Sequence, residues 1–143
     1  MEATVQLEIS DAEWEVMRIV WTLGESTSRQ ISTILADKMG WKSATVKTLL
    51  GRLVKKGALA TTKANQAFVY TPLVTEQAAM DTATHALFGH LCEMKVGATL
   101  ASLVDDLTLS RTDIAQLQQL LATKAVDAPS EVACNCLPDG CQP

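Results

Sequence analysis

Apolar residues recur at helical spacing along most of this chain. Trp14, Met17, Val20 and Trp21 follow Ser10-Asp11-Ala12-Glu13. In that opening a serine hydroxyl and a glutamate three residues later satisfy each other's backbone donors at a helix start. Gly24 supplies the stop. Thr27-Ser28-Arg29-Gln30 predicts a second helix by the same logic, with Ile31, Ile34 and Leu35 as its buried stripe and Gly40 as its end. A third helix is expected from about Ser43 to Lys56, closed by Gly57. Its Val46, Leu49, Leu50 and Leu53 fall at i, i+3, i+4 and i+7, a face that must rest on the first two helices.

After Gly57 the period changes. Ala58 to Lys63 and Ala67 to Thr71 are short runs with β-branched and aromatic residues, separated by Ala64-Asn65-Gln66 and ended by Pro72, so they read as a hairpin. Three helices and a hairpin follow the order of a winged helix-turn-helix, in which the third helix enters the major groove and the hairpin lies along the duplex. From Thr75 helical spacing returns, first to about Glu93 with Met80, Ala83, Leu87 and Leu91 along one side. Val96, Leu100, Leu103 and Val104 form a second segment, and Ser110-Arg111-Thr112-Asp113 caps a third carrying Ile114, Leu117 and Leu121. These stripes exceed what a small neighbouring domain can cover, so a homodimer is the expected way to bury them. The alternative is a fold-back onto the first half as one monomeric core.

The fold class expected is therefore mainly α with a small β-hairpin. A winged-helix domain over residues 1–73 precedes a helical dimerisation region over 74–126 and a cysteine-containing tail over 127–143. A chain of 143 residues leaves no room for two large domains, and 48% hydrophobic with 20% charged residues is a globular balance. No apolar run is long enough to span a bilayer. The start lacks the features of a secretion signal, which gives a cytoplasmic location as the expectation.

The net charge of −4 argues against a nucleic-acid partner until it is placed along the chain. Residues 1–72 carry 9 Lys/Arg against 7 Asp/Glu, whereas 73–143 carry 3 against 9. Between Asp37 and Glu76 there is no acid, yet Lys38, Lys42, Lys47, Arg52, Lys55, Lys56 and Lys63 lie there. Phosphate attraction is screened over about 8 Å at physiological salt, so this local surface matters more than the total. On the third helix Ala44, Lys47, Thr48, Gly51, Arg52 and Lys55 point away from the apolar face. Small residues, hydroxyls and cations without an acid suit close approach to a duplex groove, where an ordinary solvent face mixes signs. Lys63, beside the hairpin turn, is the candidate phosphate contact of the wing.

Three of the four cysteines, Cys134, Cys136 and Cys141, fall within eight residues of a segment that also holds turn-forming Pro138, Asp139 and Gly140. A Cys-x-Cys pair closes a disulfide on itself poorly, whereas both thiolates can reach one ion, and the turn returns Cys141 to it. Soft thiolates select Cu(I) and Zn(II). Cys92 stands apart near the end of the helix expected to reach Glu93, and reads as a small buried apolar residue. His85 and His90 lie five apart, and no acid, base and nucleophile recur at workable spacing, so an enzyme is not expected.

The stretch from Ile9 to Met17 with Trp21, the run from Trp41 to Leu53 with Lys55-Lys56-Gly57, and the tail cysteines resemble the penicillinase-repressor (BlaI/MecI) family, and within it the copper-responsive CopY-type repressors. The resemblance implies a homodimer on a palindromic double-stranded DNA operator of copper-homeostasis genes. It also implies a tail that holds zinc in the DNA-bound form and releases DNA when Cu(I) displaces it. The family's base-reading positions fall on Thr45 and Lys47, with Thr48, Arg52, Ser28 and Arg29 as backbone contacts. A copper chaperone is a further candidate partner. One departure matters: the copper branch carries Cys-x-Cys-x4-Cys-x-Cys, and Pro143 stands where the last cysteine belongs. The fourth ligand is then water, Asp139, Cys92 or a group of the partner chain, and zinc is expected to bind more weakly while copper response is kept. Two alternatives remain open: a repressor sensing another thiophilic metal or an oxidant, and a copper carrier or storage protein on the same scaffold.

Overall fold

A computed structural model describes residues 7–139. The order is α1 (Asp11–Leu23), β1 (Ser26–Thr27), α2 (Ser28–Met39), α3 (Ser43–Lys56), β2 (Leu59–Ala64), β3 (Ala67–Pro72), α4 (Glu76–Phe88), a 3-10 turn (Glu93–Lys95), α5 (Val96–Asp106) and α6 (Arg111–Ala125). The fold is mainly helical with a small antiparallel sheet, as expected. Among the described residues no helix is long and apolar enough to cross a membrane.

Both expected N-terminal boxes form. The Glu13 amide donates to Ser10 Oγ at 3.2 Å while the Ser10 amide donates to Glu13 Oε1 at 2.8 Å, and Thr27 and Gln30 repeat the exchange at α2. Gly40 ends α2 in the left-handed region at φ 70°, and its amide and that of Trp41 satisfy the carbonyls of Ala36 and Leu35. This tight stop fixes where α3 departs.

The chain divides into two units, one running through His85 and the other from Ala86. In the first, Val16, Met17, Ile19 and Val20 of α1 meet Ile31 and Leu35 of α2 and Val46, Leu49, Leu50 and Leu53 of α3, with Ala58 and Leu59 closing the core. Burying each of the large aliphatic side chains favours the fold by about 1.5–3 kcal/mol. The sheet order is β1-β3-β2, with Ser26 opposite Tyr70 and Thr61 opposite Tyr70 on the other side. The hairpin turns through Asn65 and Gln66, both at positive φ (50° and 67°), as a two-residue connection demands. Trp21 Nε1 donates to the Val74 carbonyl at 2.9 Å and anchors the chain leaving the sheet onto α1.

In the second unit α5 and α6 bury no residue. Leu120 and Leu121 are about three-fifths exposed, at 61% and 62%, and Leu100, Leu103 and Val104 are exposed as well. The Ser110–Asp113 box caps α6 as the sequence predicts.

Two expectations are corrected. Helix α4 ends at Phe88, not near Glu93, because Gly89 follows and the chain turns through His90 and Leu91. Leu91 is therefore off the helical stripe, and Cys92 is not a helix residue: it precedes the 3-10 turn. The acid-free run from Lys38 to Lys63 is also less uniformly free than its sequence suggests. Lys56 Nζ pairs with Glu13 Oε1 at 2.5 Å and Lys38 Nζ with Glu15 Oε1 at 2.9 Å, so α1 neutralises both.

Candidate nucleic-acid interface and metal centre

The capping and core contacts that hold α3 leave its opposite face in solvent. Thr45, Lys47, Thr48, Gly51, Arg52 and Lys55 are all exposed there, while Val46, Leu49, Leu50 and Leu53 are buried beneath. The Thr48 hydroxyl donates to its own helix at the Ala44 carbonyl, 3.1 Å away, which leaves its lone pairs outward. The face keeps three cations, Lys47, Arg52 and Lys55, whereas Lys56 on the same helix turns inward to Glu13 and to the Glu8 carbonyl at 2.6 Å. Ser28, half-buried, and Arg29, exposed, open α2 directly after its cap, with no acid in that first turn. Lys63 is exposed on β2 opposite Phe68, its ammonium 5.9 Å from the ring centroid.

Among the described residues Glu13 is the one buried carboxylate. Burial by itself raises its pKa. The Lys56 ammonium and the Ser10 amide outweigh that and hold the group below the ordinary carboxylate range. The Glu15 carboxyl is also held low, chiefly by its hydrogen bond from Lys38.

The second unit contains a sulfur cluster. Cys92, Cys134 and Cys136 place their Sγ atoms within 4.8 Å of one another, and Cys92 Sγ lies 3.6 Å from Cys134 Sγ. The Cys136 amide donates to Cys134 Sγ at 3.5 Å. Beside the sulfurs, the Glu93 amide donates to Asn135 Oδ1 at 3.0 Å and Asn135 Nδ2 donates to Glu93 Oε1 at 2.9 Å, so the tail is clipped to the 3-10 turn. A hydrogen bond with Cys136 pulls the Cys92 thiol below its usual pKa, helped by the amides of Met94, Lys95 and Asn135, and the same bond pushes Cys136 up. Thiolates about 2.3 Å from a shared ion stand roughly 3.8 Å apart at tetrahedral angles, so the sulfur spacing fits a soft cation once Cys134, which is disulfide-bonded, is reduced. The sequence identified Cys134 and Cys136. Cys141 lies outside the described residues. Asp139 is exposed and does not join the set.

Cys92 is the residue that sequence reasoning misplaced. Gly89 was the available signal, since a helix stopped there puts a cysteine three residues later on irregular backbone.

The profile described as penicillinase repressor matches residues 9–123, from just before the first capping box to the last helix. The chain belongs to the penicillinase repressor family. It is accordingly read as a transcriptional repressor of that family with a C-terminal cysteine cluster. An uncharacterized 16.5 kDa protein from the ptsI 3' region of Latilactobacillus sakei is 58% identical over 134 residues, covering 94% of this chain and 92% of that one. The penicillinase repressor of Bacillus licheniformis is 31% identical over 114 residues, covering 80% of this chain and 89% of its own. A solved CopR repressor structure is 48% identical and covers 48% of this chain and 99% of its own, with a TM-score of 0.42. These family relatives are described as repressors and not as enzymes where a role is given.

Proposed function

We propose that this penicillinase-repressor family member is a copper-responsive repressor that binds a palindromic operator as a homodimer. The clustering of Cys92, Cys134 and Cys136 sulfurs within 4.8 Å is the observation that carries the metal reading. In this scheme residues 1–73 read DNA, 74–126 pair two chains and 127–143 sense the metal. Thr45 and Lys47 meet base edges, Thr48, Arg52, Lys55, Ser28 and Arg29 meet the backbone, and Lys63 holds a phosphate from the wing. The exposed stripes of α5 and α6 support dimerisation, because apolar helices of this extent are stable when a partner covers them. Two α3 helices must then reach successive major grooves, about 34 Å apart.

Cys134, Cys136 and, from the sequence, Cys141 hold Zn(II) in the DNA-bound form, and exchange for Cu(I) releases the operator. Bound metal supplies thiolate bonds that draw the tail sulfurs together. The protein's part is to present those sulfurs and to couple their arrangement to the spacing of the two DNA-reading helices, so that differential affinity of the metal for the two dimer geometries becomes differential affinity for DNA.

The test uses the reduced full-length protein and a duplex enriched from a random-sequence library by its binding. Fluorescence anisotropy follows the complex as Cu(I), Zn(II) or peroxide is added. Release by Cu(I) and not by Zn(II) is expected. Undiminished binding in Cu(I) overturns the copper reading, and release by peroxide alone replaces it with a thiol-oxidation sensor.

A further inference from the structure

Once reduced, a tail patterned Cys134-x-Cys136-x4-Cys141-x-Pro143 offers three thiolates, one fewer than a closed tetrahedral zinc site requires. The missing donor is within reach elsewhere in the same unit. Cys92 lies 42 positions before Cys134 in sequence, yet their sulfurs are 3.6 Å apart, and Cys136 joins them inside the same 4.8 Å sphere. The approach does not depend on sulfur alone, because the reciprocal Glu93–Asn135 hydrogen bonds at 2.9 and 3.0 Å seat the tail against the turn that follows Cys92. Asn135 sits between the two tail cysteines of the cluster, so its two bonds present Cys134 and Cys136 to Cys92 together.

We infer that Cys92 is a metal ligand of this protein and takes the place of the cysteine that Pro143 displaces from the tail. The inference rests on the proposed reading of the tail as a metal site. It goes further by giving the ion a second anchor: a metal held by Cys92, Cys134 and Cys136 fastens the tail to the segment between α4 and α5. Occupancy is then felt at the start of α5, one of the helices whose apolar residues are left exposed in the single chain. A site confined to the tail has no such handle on the helices.

Two measurements test this on the reduced full-length chain. In the first, the protein with one equivalent of Zn(II), and separately of Cu(I), is pulsed with an alkylating reagent and each cysteine is mapped by mass spectrometry. Cys92 is expected to be protected in step with Cys134 and Cys136. In the second, zinc affinity is measured by chelator competition for Cys92→Ser and for Cys92→Ser combined with Pro143→Cys. Loss of an outer-sphere partner weakens a metal site by about 10–100-fold, so loss of a direct ligand is expected to cost at least about 100-fold, with Pro143→Cys restoring most of it. Protection of Cys134 and Cys136 with Cys92 alkylated at its metal-free rate overturns the inference and leaves the tail reading intact. Protection of none of the cysteines overturns both.

Discussion

The ion pair between α1 and the end of α3 gives the most quantitative prediction. Glu13 is 1% exposed, and its carboxylate serves two elements at once, closing the α1 capping box and holding Lys56 at the end of α3. Lys56→Met removes the cation and keeps an apolar stem of similar length, which leaves the carboxylate buried with Ser10 alone as its partner. Breaking a fully buried pair from one side costs about 3–5 kcal/mol. The Lys56 side chain is 35% exposed, so water screens part of the interaction and about 2 kcal/mol is the appropriate figure. For a unit of this size that corresponds to a fall in Tm of roughly 10 °C at pH 7.

The pH dependence has a definite sign. In the native protein Glu13 has a folded pKa below its unfolded value, so its contribution is complete above the ordinary carboxylate range and is lost as the pH falls through the lowered folded value. In Lys56→Met burial is opposed only by Ser10, through its amide and side chain, so the folded pKa rises and protonation relieves the penalty. The gap between the two proteins therefore narrows as the pH falls from 7 towards about 4. Calorimetry at several pH values measures it. A variant melting within about 2 °C of the native protein at pH 7, or a gap that widens on acidification, refutes the reasoning.

Two further perturbations address the hairpin and the second unit. Gln66 sits at φ 67°, so Gln66→Gly is expected to stabilise the first unit by about 0.5 kcal/mol in urea denaturation, and a loss of that size contradicts the strain argument. Leu117→Glu with Leu121→Glu places charge on the exposed stripe of α6; sedimentation is expected to show dimer association weakened by more than about 100-fold, and an unchanged dimer places the interface elsewhere.

What the sequence made legible was whatever local chemistry decides. The Ser10–Glu13, Thr27–Gln30 and Ser110–Asp113 boxes and the glycines at 40 and 57 mark helix ends through contacts only a few residues long, and α3 was bounded from Ser43 to Lys56 by pattern alone. The outward face of α3 followed from the buried one by geometry. Strand β1 was invisible, because two residues carry no period and Ser26–Thr27 is a strand only where β3 lies beside it. Lys56 looked like part of the free basic surface, since nothing local to α3 reveals that a carboxylate 43 residues earlier is buried beneath it. Cys92 is legible in the sequence only as one of four options for a fourth ligand, because its companions are distant in sequence and its environment depends on α4 stopping at Phe88.

The central claim is that the acid-free outer face of α3 is what grips the duplex. Lys47→Glu with Arg52→Glu reverses two exposed charges on that face without touching the core beneath. Binding to the selected duplex should be followed by anisotropy across a salt series, with circular dichroism to establish the fold. Each phosphate contact contributes about 0.9 to the slope of log affinity against log salt, so removing both cations should lower the slope by up to roughly 2 and charge reversal should abolish specific binding in about 150 mM salt. A folded double variant that holds the duplex with native affinity and native salt dependence contradicts the account.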